Sequence, residues 1–338
     1  MQRVGVVMGG TSGEREVSLR SGQAVVAALR GRGYDARPLV LDEPGEASSL
    51  LRGADVDVAF LALHGRYGED GCVQGVCELA GIPYTGSSLL ASALAMDKVK
   101  SKELFRLHNV PTPPYYAVSV DEGYDSLEEL HGSFGFPAVV KPRGEGSSLG
   151  VRRVDDLAGL ERALAEAFRY DRVALVERFV SGREITVALL GGRVLGALEI
   201  ETKAGLFDFE AKYTPGLTEY HLPTRLPPTR QRNVLNLAER AARALGCTSA
   251  VRVDVLVTDS ENEYILEVNT QPGMTETSLL PRIAAAAGYD FASLCEAIVA
   301  SAALHSSSPA PRSSRRLSAE ARPRARDAAP VLRRVAGA

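Results

Sequence analysis

The sequence predicts an α/β protein of three successive domains, the first of them doubly wound, and three observations support this. Short apolar runs alternate with helix-period stretches over the first ninety or so residues, the order that builds a parallel sheet with helices on its faces. A stiff connector, Asn109-Val110-Pro111-Thr112-Pro113-Pro114, and a Ser181-Gly182 pair punctuate the chain beyond that stretch. At 338 residues the chain also exceeds the ~100–200 residues of one domain. The expected division is 1–94, 95–182 and 183–304, with a tail over 305–338.

In chain order, residues 4–8 form an apolar strand stopped by Gly9-Gly10-Thr11-Ser12-Gly13, and a helix over 14–30 is closed by Gly31 and Gly33. Residues 56–63 are a buried-strand run leading into His64-Gly65. A helix over 75–80 stops at Gly81, and 82–86 is a short strand and turn. Ligand sites of such sheets lie at the carboxyl ends of strands, where Gly9-Gly10 and His64-Gly65 fall. The second domain begins with a helix over about 92–107, then strands at 137–142 and 173–179 around a glycine-spaced loop, 144–150, and a helix at 157–170. The third has strands at 184–190 and 193–200, a polar loop over 203–220, a helix at 232–245, and strands at 251–257 and 264–269 joined by a polar turn.

Hydrophobic residues make up 45% of the chain and charged residues 24%, the mix of a soluble globular protein. The N-terminus shows no signal-peptide core, and no apolar run approaches the ~18–20 residues of a membrane helix. Cys72, Cys77, Cys247 and Cys295 have neither C-x-x-C nor metal-ligand spacing and read as reduced thiols. A cytoplasmic protein without a membrane partner is expected. The net charge of −3 hides an asymmetry: eight arginines against Glu320 and Asp327 give the tail +6, leaving −9 for residues 1–304. An acidic body argues against nucleic acid as a partner, and the Ser/Pro/Ala/Arg tail reads as disordered. Lysine occurs six times among 39 basic residues, which suggests that it is kept where a compact ammonium is required.

The strongest constellation lies in the last two strands. A period of two puts Arg252 and Asp254 on one face of residues 251–257, and Glu267 and Asn269 on one face of 264–269. Pairing the strands gathers Asp254, Glu267 and Asn269 into an oxygen-only set suited to Mg²⁺; a solvated strand face is the plainer alternative. Lys141 precedes the loop 144–150, whose backbone N–H groups can line phosphate oxygens. Alone that loop is equally a plain turn; beside a Mg²⁺ set it points to a nucleoside triphosphate. The turn at Gly9–Gly13 has a bland reading too, a capping box from Thr11 to Glu14.

Taken together, the residues resemble a family. Gly9-Gly10-Thr11-Ser12-x-Glu14-Arg15-Glu16-Val17-Ser18, His64-Gly65-x-x-Gly68-Glu69-Asp70-Gly71, Met96-Asp97-Lys98, Glu145-Gly146-Ser147-Ser148, Glu210-Ala211-Lys212-Tyr213 and Glu267-Val268-Asn269-Thr270-x-Pro272-Gly273-Met274-Thr275 look like the D-alanine–D-alanine ligases of the ATP-grasp superfamily. The likeness runs in order from residue 1 to about 304; the tail has no place in it. It implies a three-domain ATP-grasp architecture with a doubly wound N-terminal domain. It also implies ATP and D-alanine as substrates, two Mg²⁺ ions with Mn²⁺ as a substitute, and a homodimer.

The resemblance assigns roles residue by residue. Lys98 and Lys141 would contact ATP phosphates, with Ser148 and Phe207 also at the nucleotide; the stretch from Glu177 to Val180 would read adenine, and Glu184 the ribose. Asp254, Glu267 and Asn269 would hold the metal ions. Glu14, supported by Ser147 and Tyr213 with His64 nearby, would hold the ammonium of the first D-alanine. Arg252 and the N–H of Gly273 would stabilise the oxyanion, and Ser278 and Lys212 would secure the second D-alanine and the transferring phosphate. Because water destroys an acyl phosphate, the loop 203–220, with Phe207, Phe209 and Tyr213 as anchors, is the expected lid. Two other readings stand beside this one. A D-alanine–D-lactate ligase would carry histidine where Tyr213 stands. A non-enzymatic nucleotide binder would be expected to lose a metal ligand or Arg252, yet Asp254, Glu267, Asn269 and Arg252 are all present.

Overall fold

The computed structural model describes residues 1–123, 126–202, 216–260 and 262–306. Phe207, Phe209, Lys212, Tyr213 and the tail from residue 307 lie outside the described residues.

The chain opens with strand β1 (Arg3–Gly9), helix α1 (Arg15–Gly31), strand β2 (Asp35–Leu41), helix α2 (Ala47–Gly53), strand β3 (Val58–Leu61) and helix α3 (Cys72–Ala80). The three strands are parallel, in the order β2-β1-β3. Val4, Val6 and Met8 join Val25, Val26 and Leu29 of α1 in one core, while Val7 joins Leu39 and Leu61 in another. A strand covered on both faces reads as a continuous apolar run, as residues 4–8 do. The strand expected at 82–86 is reduced to Tyr84, which bridges Ala59 in parallel and Ala303 in antiparallel fashion. His305, placed in the tail by sequence, packs its ring on Tyr84 and donates its backbone N–H to Glu78 Oε1 at 2.9 Å.

The single helix expected over 92–107 is two, α4 (Leu89–Met96) and α5 (Lys98–Leu107). Asp97 separates them: its backbone is extended, and its carboxylate accepts from the N–H groups of Val99 and Lys100. A capping aspartate satisfies two of the open donors that a continuous helix would not have had.

Next come β4 (Tyr115–Ser119), α6 (Leu127–His131), β5 (Ala138–Pro142), β6 (Arg152–Val154), α7 (Leu157–Ala167) and β7 (Val173–Arg178). These strands form an antiparallel sheet in the order β4-β7-β5-β6. Leu160, Ala163, Leu164 and Ala167 of α7 cover Ala138, Val140, Ala174 and Val176 on one face.

The last sheet contains β8 (Arg183–Leu190), β9 (Arg193–Thr202), β10 (Thr218–His221), β11 (Ala250–Val257) and β12 (Glu263–Asn269), antiparallel in the order β10-β9-β8-β11-β12. The polar loop expected to run to residue 220 instead ends in a strand at Thr218 that pairs with β9. Helix α8 (Pro228–Ala244) starts four residues earlier than expected, with proline in its first turn, where a missing N–H costs nothing. It covers Ile185, Val187, Val253 and Val255. Helices α9 (Leu279–Ala286) and α10 (Phe291–Ala300) share the core of α1 and β1. No single helix among the described residues is long and apolar enough to cross a membrane.

Candidate active site

A cavity of about 800 Å³ opens where the N-terminal sheet, the glycine-rich loop of the central sheet and the last sheet meet. Its floor comes from β11 and β12, whose register pairs Arg252 with Asn269 and Asp254 with Glu267. Cross-strand partners share a face, so the expected clustering of these four side chains is met. A bulge between Asp254 and Val255 lets Ile265 and Val268 turn into the core under α8 while Glu267 and Asn269 line the cavity. Asp254 is buried: Thr186 donates to its Oδ1 at 2.6 Å, and Arg252 donates to both carboxylate oxygens at 3.1 and 3.0 Å. Burial works against the charge on Arg252, but the carboxylates of Asp254, Glu267 and Glu184 outweigh it and hold the guanidinium firmly protonated.

The wall opposite brings together residues far apart in sequence. Glu14 lies at the start of α1, and Ser147 Oγ donates to its Oε1. The capping-box reading fails here: no side chain caps α1, and Glu14 and Ser147 line the cavity. Ser147 and Ser148 adopt positive φ, 48° and 57°, which turns the loop back on itself. A Cβ at Gly146 would come within 3.3 Å of Glu14 Oε2, so glycine there permits the approach. His64 is buried beside Glu69, Nδ1 to Oε1 3.7 Å, and Ser12 donates to its carbonyl. Burial opposes protonation of His64, but Glu69 and Glu14 prevail and raise its pKa.

At the far end, Gly273 and Ser278 line the cavity side by side; a Cβ on Gly273 would lie 2.8 Å from Ser278 Oγ. Lys98 also lines it and donates to the Glu145 carbonyl at 2.5 Å. Lys141, Ser148, Glu177, Val180, Glu184 and Asp254 are not lining residues. Lys141, on β5, has its Nζ 2.5 Å from Glu177 Oε2. Burial opposes its charge, but Glu177, and beyond it Glu267 and Glu184, raise its pKa.

Several residues went unassigned by sequence. Thr186 sits two residues after Glu184, on the same strand face, and that period was a usable signal. Glu69 lies within the His64–Gly71 motif. Tyr220 and Arg282 line the cavity as a pair, guanidinium 5.0 Å over the ring; no local pattern joins positions so far apart.

Asp254, Glu267 and Asn269 supply hard oxygen donors on adjacent strands, and Arg252 and Thr186 already orient one of them, so the set fits a hard divalent cation. A parallel N-terminal sheet followed by two antiparallel sheets, with Lys98, Glu267 and Asn269 around one cavity, is the arrangement of the ATP-grasp class of ligases. The family description "D-ala D-ala ligase C-terminus" matches residues 104–300, and "D-ala D-ala ligase N-terminus" matches residues 45–87. A D-alanine–D-alanine ligase of Geotalea uraniireducens is 52% identical over 303 residues, covering 90% of this chain and 96% of its own. The crystal structure of the Bacillus anthracis D-alanine–D-alanine ligase complexed with ATP is 36% identical, with a TM-score of 0.78 over 89% of this chain and 97% of its own. The VanG D-Ala:D-Ser ligase of Enterococcus faecalis is 29% identical, with a TM-score of 0.78 over 88% of this chain and 98% of its own. The chain belongs to the D-alanine–D-alanine ligase family.

Proposed function

We propose that this protein joins two D-alanines into D-alanyl-D-alanine at the expense of ATP, through a D-alanyl phosphate, as a step of peptidoglycan precursor synthesis. The observation that carries the reading is the Glu14–Ser147 hydrogen bond, which spans 133 positions and faces Arg252, Glu267 and Asn269 across one cavity.

The chemistry divides among these groups. Glu14, oriented by Ser147, holds the ammonium of the first D-alanine, so that the carboxylate of that D-alanine points toward the triphosphate. That carboxylate attacks the γ-phosphorus, ADP leaves, and Lys98 and Lys141 hold the phosphoryl oxygens. The amine of the second D-alanine then attacks the acyl carbon; phosphate leaves and the amine loses a proton. Arg252 and the N–H of Gly273 stabilise the oxyanion of that step, and Ser278 secures the second substrate. Mg²⁺, or Mn²⁺ in its place, held by Asp254, Glu267 and Asn269 would neutralise phosphoryl charge. Glu184 and the stretch from Glu177 to Val180 are assigned to the nucleoside. Lys212, Tyr213 and Phe207 keep their proposed places at the second substrate, the first substrate and the nucleotide, and the loop 203–217 before β10 its place as lid; apart from 216–217 these lie outside the described residues. The proposal extends to a domain division at 1–94, 95–182 and 183–304, a homodimer and a cytoplasmic location, supported by the sequence pattern and the family.

Phosphate release from ATP with D-alanine, L-alanine, D-serine or D-lactate as the added substrate tests the assignment. D-alanine alone should support turnover, and the product should be the dipeptide. Faster turnover with D-alanine plus D-lactate or D-serine than with D-alanine alone would reassign the second substrate.

A further inference from the structure

One buried lysine has no role in the proposed reaction. Lys102 lies on α5 one turn after Lys98, so both ammoniums leave the same face of the helix. Lys98 turns to the glycine-rich loop, whereas Lys102, 1% exposed, reaches β7. There its Nζ is 2.5 Å from Glu177 Oε1, while Lys141 Nζ is 2.5 Å from Oε2 of the same carboxylate. Lys102 also donates to Thr112 Oγ1, and that hydroxyl donates to the Ile265 carbonyl of β12 at 3.0 Å. A compact ammonium with separate donors serves two acceptors from different elements; in a chain this rich in arginine, a planar guanidinium would be the alternative.

We propose that Lys102 is a positioning residue for ATP: by holding one oxygen of Glu177 it keeps the other on Lys141 and leaves the trio with a net positive charge behind the triphosphate. This rests on the assignment of Lys141 and Glu177 to the nucleotide. The two lysines differ in surroundings, Lys102 being sealed in the core and Lys141 retaining 14% side-chain exposure. With Lys102 uncharged, Glu177 is free to take Lys141 with both oxygens. The trio then becomes neutral, with the carboxylates of Glu184 and Glu267 still acting on Lys141. Burial pulls the pKa of Lys102 down to about 8, while Glu177, despite its own burial, is held at about 2 by the two lysines.

The test is steady-state kinetics of four full-length variants with Mg²⁺ and ATP, with folding checked by circular dichroism. Lys102→Met should raise the KM for ATP about tenfold and move the KM for D-alanine less than about twofold. Lys102→Met combined with Glu177→Gln should be no weaker for ATP than Glu177→Gln alone, since Lys102 acts through that carboxylate. A folded Lys102→Met protein with an unchanged KM for ATP, or additive losses in the double variant, would overturn the proposal. Lys141→Met separates the premise: if it leaves the KM for ATP unchanged, the nucleotide assignment fails rather than the role of Lys102. Should Lys102→Met not fold, Thr112→Val takes over, because it removes one of the two acceptors of Lys102 and keeps the charge. A rise of about two- to fivefold in the KM for ATP supports the role, and no rise overturns it.

Discussion

Arg252 is fixed before any substrate arrives. Its guanidinium donates two N–H groups to the Asp254 carboxylate, and three carboxylates keep it charged. A donor preorganised this way contributes chiefly when charge develops on the reacting oxygen, so Arg252→Ala should lower kcat by roughly 10²–10³-fold. The KM for ATP should change far less; a rise in KM with kcat intact would make Arg252 a ground-state contact. Ser147→Ala removes the hydroxyl that orients Glu14 and should raise the KM for D-alanine while sparing that for ATP. Equal effects on both substrates would dissociate the Glu14–Ser147 pair from the first D-alanine. Sequence made part of this legible. Arg252, Asp254, Glu267 and Asn269 stood out because a strand exposes its period in the chain, whereas Lys102 did not. On an amphipathic helix a lysine reads as solvated, and only the arrival of β7 from some 75 positions away buries it.

At the scale of elements, the join between α4 and α5 shows where pattern reading falls short. The sequence predicts a single helix over about 92–107, and the capping role of Asp97 is invisible until its carboxylate is seen on Val99 and Lys100. The same carboxylate pairs with Arg143, and Lys98 N donates to the Arg143 carbonyl, so this helix start is pinned to the end of β5. Asp97→Ala should cost roughly 0.5–2 kcal/mol through the cap. Asp97→Asn, which can still cap, should recover most of that loss in a denaturant titration; no recovery would put the weight on the ion pair. The central sheet carries a pH response of its own. His131 of α6 is buried among Phe134, Phe136 and Tyr116, whose hydroxyl lies 2.9 Å from Nδ1. Burial lowers its pKa from the usual 6.5. The unfolded chain therefore takes up a proton at this position before the folded one does. The contribution of His131 is complete above pH 6.5 and lost as the pH falls from there through its lowered value. His131→Phe should flatten the fall in melting temperature between pH 7 and 5 relative to the parent; an unchanged slope would show that other groups set it.

For the molecule as a whole, the cavity has no single owner. Glu14 and His64 come from the segments that follow β1 and β3, Lys98 and Ser147 from α5 and the loop after β5, and Arg252, Glu267 and Asn269 from the last sheet. Composition and periodicity indicated sheets and helices in nearly the right places. That the sheets converge on one cavity came instead from motif resemblance, because convergence depends on long-range packing such as the core shared by α1, α9 and α10. A ligand spanning these parts should stabilise all of them together. At 100-fold excess over its dissociation constant, ATP with Mg²⁺ should add about 2.7 kcal/mol to the stability of the whole chain. Hydrogen exchange should slow both in the glycine-rich loop after β5 and in β12, which lie on opposite sides of the cavity. D-alanine without nucleotide should protect the start of α1 and the loop around Gly273, and leave β5 and β7 unchanged. If ATP protected only the central sheet and left β12 exchanging as before, the triphosphate would not reach the oxygen donors of β11 and β12. The metal-bound phosphate end of the proposed site would then have to be placed elsewhere.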